Sequence, residues 1–403
     1  MKYTFPAKTT HMTPNLIREV SERGASIPGF ISLAIGNPAP AAIPAKAIKE
    51  SIENLLKGDL MELFEYGPRN GDALFRELTK KRLVEVKGFP AEGRSIVSLA
   101  GSSQGLGLAP LALCDEGEEI YFEDFSFCGA IDAANAAGCR AVSIKADEYG
   151  MIPGDLARAA REGKGRMVYL NPNFHNPTGV TMPLFRRKEI YEVARQYDLI
   201  LYEDDPYGDI RFRGEAVPCF AAMDPDQRVI FAGSYSKTVS PGLRVGYLYA
   251  PDFFAEKLKA MKSALAGESA LMMQKAIASV ITRIDYEQHI KDISAMYSER
   301  CRLMEETLRE CLPEGVTCTH PEGGMFLWAM LPDSVSLEDM FNECFRCRVG
   351  AVPSISFSVD PEHNPGRALR LNFTYPSMEE LVEASKRFGQ AARRLMSHHA
   401  AAV

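Results

Sequence analysis

The chain has no run of Lys and Arg: its 46 basic residues are outnumbered by 53 acidic ones, for a formal net charge of −7 at pH 7. A nucleic-acid binder would need a basic patch against this background, so that class is set aside. No apolar stretch approaches the roughly 20 residues a membrane-spanning helix needs, because Gly, Pro or a charge interrupts each one. The segment Met1–Thr10 holds Pro6 and two lysines but no apolar h-region, so it does not read as a signal peptide. A cytoplasmic location is expected. Nine scattered cysteines, an odd number, suit a reducing compartment where thiols behave as small core residues. Cys344 and Cys347 form a lone CxxC beside Phe341 and Phe345, and without a second ligand pair the reading is helix packing rather than metal.

Repeats, long linkers and low-complexity tracts are missing too, and a hydrophobic share of 46% with 25% charged residues excludes a disordered chain. At 403 residues the chain exceeds the usual limit for one core, so two domains are expected. Short apolar runs alternate with amphipathic segments in the rhythm of a mostly parallel, helix-covered sheet. The predicted strands are Ser95–Ala100, Glu119–Glu123, Ala141–Ile144, Met167–Leu170, Leu199–Glu203, Val229–Gly233 and Val245–Ala250, with helices over Phe185–Tyr197 and Asp285–Cys311. The last hundred residues, with strands Phe326–Met330 and Leu369–Phe373 and a closing helix from Ser377, read as a smaller α+β domain. A Pro-rich arm with a short helix around Leu16–Ser21 completes it. The expected division is residues 1–45 as arm and part of the small domain, 46–289 as the large domain and 290–403 as the small carboxyl-terminal domain.

Four segments carry candidate chemistry. Ala100-Gly101-Ser102-Ser103-Gln104-Gly105-Leu106-Gly107 follows a predicted strand and opens a helix, where free N–H groups and the helix dipole suit a phosphate. The glycine spacing also resembles a short-chain dehydrogenase nucleotide loop, but none of the fifteen tyrosines has the lysine four residues on that such an enzyme uses. A purely structural turn stays open. Asn171-Pro172-Asn173-Phe174-His175-Asn176-Pro177-Thr178-Gly179 is a good turn, at a strand end where open α/β sheets bind ligands. Glu203-Asp204-Asp205 precede Pro206-Tyr207, and three adjacent carboxylates repel unless a cation is near or solvent covers them. Lys237 stands among Ser234, Ser236 and Ser240 after a buried strand, with Arg244 seven residues on; it is either a surface lysine or an amine whose pKa neighbouring cations lower for imine chemistry.

Taken together and in order, Gly-Ser-x-Gln-x-Leu, Asn-Pro-Thr-Gly, Asp-Asp-Pro-Tyr and Ser-x-Ser-Lys-x-x-x-Pro-Gly-Leu-Arg resemble the class I/II aminotransferases of the fold-type I pyridoxal phosphate superfamily. The 2-aminoadipate, kynurenine and broad-specificity branch is nearest in pattern. The resemblance spans nearly the whole chain, from Ile17-Arg18-Glu19 and Tyr66-Gly67-Pro68 to Pro321-Glu322-Gly323-Gly324 and Leu369-Arg370-Leu371. It implies a large domain with a mostly parallel seven-stranded sheet, bound pyridoxal 5'-phosphate, and ping-pong transfer of an amino group from an L-amino acid to a 2-oxo acid. It further implies that Lys237 forms the resting Schiff base and shuttles the proton, that Asp204 pairs with the pyridine nitrogen, and that Tyr207 and Asn176 bond the phenolic oxygen. Phe127 would stack on the ring, where relatives usually show Pro-Thr-Tyr against Phe-Ser-Phe here. Ser102, Ser103, Gln104, Ser234, Ser236 and Arg244 are the implied phosphate ligands, and Tyr66 reaches the neighbouring subunit's phosphate in a homodimer. Arg370 would grip the substrate carboxylate with help from Asn176, Gly36 would supply a backbone contact, and Arg18 would meet a distal acidic group. Gly36-Asn37 and Pro353-Ser354-Ile355 depart from the relatives' usual pattern where the side-chain pocket is lined.

Two other readings fit part of this pattern. A lyase or decarboxylase of the same fold would use the same Lys237 and Asp204. A ligand-sensing regulator would place a DNA-binding module ahead of the domain, and only about thirty residues precede Leu33, too few for one.

Overall fold

The structure, a computed structural model, describes residues 16–400 together with Thr4, Pro6 and Lys8, with side chains as far as Ser397. The rest of Met1–Thr10, and the reading made of it, lies outside the described residues. Seven strands form the large sheet: β1 (Arg94–Leu99), β2 (Glu119–Glu123), β3 (Arg140–Ile144), β4 (Gly165–Leu170), β5 (Ile200–Asp204), β6 (Val229–Ser234) and β7 (Gly246–Pro251). Their spatial order is β1-β7-β6-β5-β4-β2-β3. Each expected strand is present, with its ends within one or two residues of those read from the sequence. Only β7 runs against its neighbours, so the carboxyl ends of the other six share one edge.

These strands read as continuous apolar runs because helices cover both faces. Alternation divides them: Val168, Leu170, Leu201, Phe231 and Tyr249 enter one core, while Met167, Tyr169, Ile200, Tyr202, Ile230 and Leu248 enter the other. The helices used below are α1 (Leu16–Ala25), α2 (Ala73–Glu85), α3 (Ser102–Leu113), α4 (Tyr286–Cys311) and α5 (Met378–Ala400). Asp285 caps α4 by accepting from Gln288 N. Ser377 and Glu380 cap α5 reciprocally, Glu380 N donating to Ser377 Oγ at 3.1 Å and Ser377 N to the Glu380 carboxylate at 2.8 Å.

A second, antiparallel sheet is built from β8 (Thr317–Cys318), β9 (Phe326–Met330), β10 (Val352–Pro353) and β11 (Ala368–Asn372), in the order β8-β9-β11-β10. Leu33, Ala39 and Ala42 share the core between this sheet and helices α4 and α5. Val20 of α1 packs with Ala34, Trp328 and Phe357, and Ile31–Ser32 pairs in parallel with Val349–Gly350. Two-residue strands such as β8 and β10 are too short to show a period, which is why the sequence does not announce them. Cys344 and Cys347 are buried free thiols at the end of the helix Leu337–Arg346. Among the described residues, no helix is long and apolar enough to cross a membrane.

Phe231 is fully buried at the centre of the large sheet, with Phe89 edge-on at 4.9 Å. Phe231→Ala removes a ring that nothing can replace and should cost about 3–5 kcal/mol. The check is a lowered midpoint in urea unfolding followed by circular dichroism; an unchanged midpoint contradicts the packing described.

Candidate active site

The loops after β1, β2, β4, β5 and β6 converge with Gly36 and Arg370 on a cavity of about 190 Å³. At one end the chain turns from β1 into α3 through Gly101, whose φ of +86° favours glycine. A Cβ there would lie 2.3 Å from Arg244 Nη2, so the absent side chain is the space the guanidinium occupies. Arg244 itself adopts φ +52° and donates from Nη2 to Ala100 O at 3.3 Å. Ser102, Ser103, Ser234 and Ser236 line the same end. Hydroxyls, the open first turn of a helix and a guanidinium together make an anion cradle.

Strand alternation sorts the three carboxylates of β5 and its turn. Glu203 faces the core away from the cavity and accepts from Phe220 N and Ala221 N, each at 2.9 Å. Asp204 faces the other way. Its Oδ2 accepts from Tyr169 OH at 2.8 Å, while the buried Oδ1 has no partner among the described residues. Burial pushes the Asp204 carboxyl up to about 7, the Tyr169 hydrogen bond opposes that rise, and the charge of Asp205 adds to it. Asn171 Nδ2 donates to Asp204 O at 2.7 Å, and Asn171 Oδ1 accepts from Asn176 N at 2.7 Å. Asn176 Nδ2 then reaches Tyr207 OH at 3.4 Å, which brings Asp204, Tyr207 and Asn176 to one wall.

Lys237 Nζ donates to Gly36 O at 2.7 Å. Burial, then the positive charges of Arg370 and Arg244, lower its pKa to about 8. Arg370 is 2% exposed and, among the described residues, has no carboxylate partner. Its Nη1 donates to Asn176 Oδ1 and its Nη2 to Ala34 O, both at 2.7 Å, and the guanidinium lies 4.1 Å over the Phe326 ring and 4.8 Å over that of Phe357. Burial brings its pKa down to about 10, partly offset by Tyr207 and Cys128. An unpaired buried cation of this kind is costly unless an anion completes it.

Three residues singled out from the sequence lie off the cavity. Gln104 Oε1 accepts from Ala100 N at 2.8 Å, so its side chain closes its own loop. Tyr66 is fully exposed, and Arg18 pairs with Glu22 at 2.6 Å while its neighbour Ile17 lines the cavity instead. Conversely, Tyr169 was not singled out, and Asn171 and Phe326, though within segments read from the sequence, were given no role there. Tyr169 sits two residues before Asn171 on β4, and the period-2 alternation of that strand was a signal that could have found it.

These groups fit pyridoxal 5'-phosphate. Asp204 Oδ1 is a buried acceptor without a donor, and the Gly101 cradle is polar and cationic where a phosphate would sit. The sequence model described as "Aminotransferase class I and II" matches residues 28–388. An aromatic-amino-acid aminotransferase of Thermococcus litoralis is 32% identical, covering 97% of this chain and 94% of its own. A solved kynurenine aminotransferase of Pyrococcus horikoshii in complex with PMP superposes with a TM-score of 0.90 at 30% identity, covering 97% of each chain. An α-aminoadipate aminotransferase of Thermus thermophilus, complexed with N-(5'-phosphopyridoxyl)-L-leucine, gives 0.88 at 27% identity over 98% of each chain.

In protein freed of cofactor, labelling of Lys237 by an amine-reactive reagent should rise with pH around a midpoint of about 8. Peptide mapping by mass spectrometry reads it, and a midpoint at the ordinary lysine value of 10.5 contradicts the environment described.

Proposed function

Since the chain belongs to the class I and II aminotransferases and is a pyridoxal phosphate-dependent aminotransferase, we propose that Lys237 is its catalytic base and acid. The observation that carries this reading is a buried amine of lowered pKa lying between two arginines, with the partnerless Asp204 Oδ1 in the same cavity. When bound, pyridoxal phosphate supplies an electron sink for the negative charge that develops at the substrate's α-carbon. Lys237 Nζ would hold the cofactor and, when free of it, would serve as the base that takes the substrate's α-proton and the acid that gives it back. Asp204, ionised, holds the proton on the ring nitrogen. Tyr207 and Asn176 hydrogen-bond the phenolic oxygen, and Phe127 covers a ring face. Ser102, Ser103, Ser234, Ser236 and Arg244 hold the phosphate, with Gln104 bracing their loop.

Arg370 grips the α-carboxylate of donor and acceptor in turn through two parallel hydrogen bonds, which orients the Cα–H bond as well as binding it. Gly36 contributes its backbone beside the substrate, and Arg18, one residue from the cavity-lining Ile17, meets a distal acidic group when one is present. Donor and acceptor use one site in a ping-pong cycle. In chain organisation, residues 1–45 and 290–403 form the small domain around a large one at 46–289, a division supported by the shared core of Leu33, Ala39 and Ala42 with α4 and α5. A cytoplasmic location agrees with the nine unpaired thiols, a pattern of reducing compartments.

A homodimer completes the site. Tyr66 is fully exposed, next to Met61 at 59% and Phe64 at 65% exposure, an apolar strip suited to a second copy whose phosphate end Tyr66 would reach.

Two experiments test this reading. Borohydride treatment of the coloured protein should fix cofactor to the peptide carrying Lys237, and Lys237→Ala should lower amino transfer at least about a hundredfold. The assay is a screen of amino donors against 2-oxoglutarate and pyruvate, beginning with aromatic amino acids, kynurenine and 2-aminoadipate. A wild type that takes up no cofactor contradicts the proposal. For the dimer, mixing inactive Lys237→Ala and Tyr66→Ala chains should restore activity, since a hybrid pairs Lys237 of one chain with Tyr66 of the other; random exchange yields about a quarter of native sites. No recovery after subunit exchange refutes a role for Tyr66 across the interface.

A further inference from the structure

Asp204 and Tyr207 point into the cavity from one short turn, and the residues beside them point out of its back. Asp205 has a fully buried side chain, with Oδ2 at 3.1 Å from Lys87 Nζ and Oδ1 at 3.1 Å from Asn173 Nδ2. Asp209, on the far side of Tyr207, places Oδ1 at 3.0 Å from the same Lys87 ammonium and Oδ2 at 3.0 Å from Arg82 Nη1. Arg82 is on α2, and Lys87 lies two residues beyond the end of that helix, its ammonium 5.6 Å over the ring of Phe231. A cation from a neighbouring helix thus bridges the two carboxylates that bracket the turn.

The backbone of the turn is tied by Asp205 N donating to Ala232 O at 2.9 Å and by Ile210 N donating to Tyr207 O at 2.7 Å, and the Lys87 bridge adds a side-chain tie behind it. Gly208 offers no side chain, and a Cβ there would strike Asp205 Oδ1 at 2.2 Å, so the carboxylate packs directly on the backbone beside Tyr207. An ammonium has three donors and can satisfy two carboxylates at once. Without it, Asp205 would be a buried carboxylate beside Asp204 left to the Asn173 amide and the Cys219 thiol, whose Sγ lies 4.0 Å from Oδ2.

We propose that Lys87 is a positioning residue for amino transfer: by bridging Asp205 and Asp209 behind the turn, it holds Asp204 and Tyr207 in place toward the cavity. The proposal rests on the reading of Asp204 and Tyr207 given above. It acts through the turn, so it governs how the ring and the proton transfer are served rather than how Arg370 binds the substrate carboxylate.

The test compares full-length wild type with Lys87→Met, Lys87→Arg, Asp205→Asn and the Lys87→Met/Asp205→Asn double variant. Three quantities are measured: the half-saturating pyridoxal phosphate concentration for apoenzyme, by quenching of protein fluorescence, and kcat and KM for an active donor. Lys87→Met should weaken cofactor binding about tenfold and lower kcat about tenfold, with donor KM within about twofold. Lys87→Arg should recover most of both losses, and the double variant should be no worse than the poorer single one, because each removes the same bridge. Asp205→Asn keeps the side-chain shape and carries the test should Lys87→Met not fold. Wild-type kcat and cofactor affinity in either single variant, or losses that simply add, overturn the proposal. A wild type that never acquires cofactor at Lys237 overturns the underlying reading, and the positioning role with it.

Discussion

A hydrogen bond of 2.7 Å from Arg370 Nη1 to Asn176 Oδ1 joins the small sheet to the large one, and the site exists where that join is made. Arg370 belongs to β11, and Asn176 to the loop after β4. From Asn176 the connection continues through Asn171 to the backbone of Asp204 and sideways to Tyr207 OH. The Asn176 amide therefore ties the guanidinium to the phenol, and the Asn171 amide ties the Asn176 backbone to that of Asp204. The usefulness of Asn176 follows from the amide's two ends: the oxygen accepts from Arg370 and the nitrogen donates to Tyr207, so neither a carboxylate nor an aliphatic residue could replace it.

The architecture was legible because both faces of the central strands are covered, which turns each strand into an apolar run bounded by Gly, Pro and polar turns. Asp204 was singled out among three acids by its place in the Asp-Asp-Pro-Tyr motif, and the alternation of β5 gives the physical reason: it sends Glu203 to the opposite core, where two backbone N–H groups receive it. Position in a motif does not report side-chain direction in the first turn of a helix, however. Gln104 stands in the phosphate-loop motif, yet its amide folds back on Ala100 N, and on α1 it is Ile17 that turns to the cavity. Lys87 was invisible for a different reason. It lies more than a hundred residues from Asp205 in the chain, and nothing in its local sequence marks it as a partner.

The run Glu203-Asp204-Asp205 posed an electrostatic question that the fold answers three times over. Glu203 is held by backbone dipoles and pushed up to about 7, chiefly by burial. Asp205 is held by an ammonium and an amide. Asp204 alone keeps an oxygen free, and the others are neutralised by groups that do not enter the cavity. Spending a different partner on each acid keeps them from sharing one cation, which would draw all three to the same side of the sheet and leave none facing the cavity.

That economy extends across the join. Asp204 Oδ1 and Arg370 Nε are both buried and without partners, one an acceptor on the large sheet and the other a donor on the small sheet. Buried polar atoms are normally satisfied, and each exception costs about 1–3 kcal/mol unless something binds it. Arg370 is meanwhile held by Nη1 and Nη2, which donate to Asn176 and Ala34, and by stacking on Phe326 and Phe357, and N–H groups remain for a further acceptor. The fold thus leaves an acceptor and a cationic donor unsatisfied in one cavity. Two aromatic rings pack against the guanidinium, and a tyrosine hydrogen bond fixes the carboxylate. This arrangement is what a ligand with a protonated ring nitrogen at one end and a carboxylate at the other would find complementary.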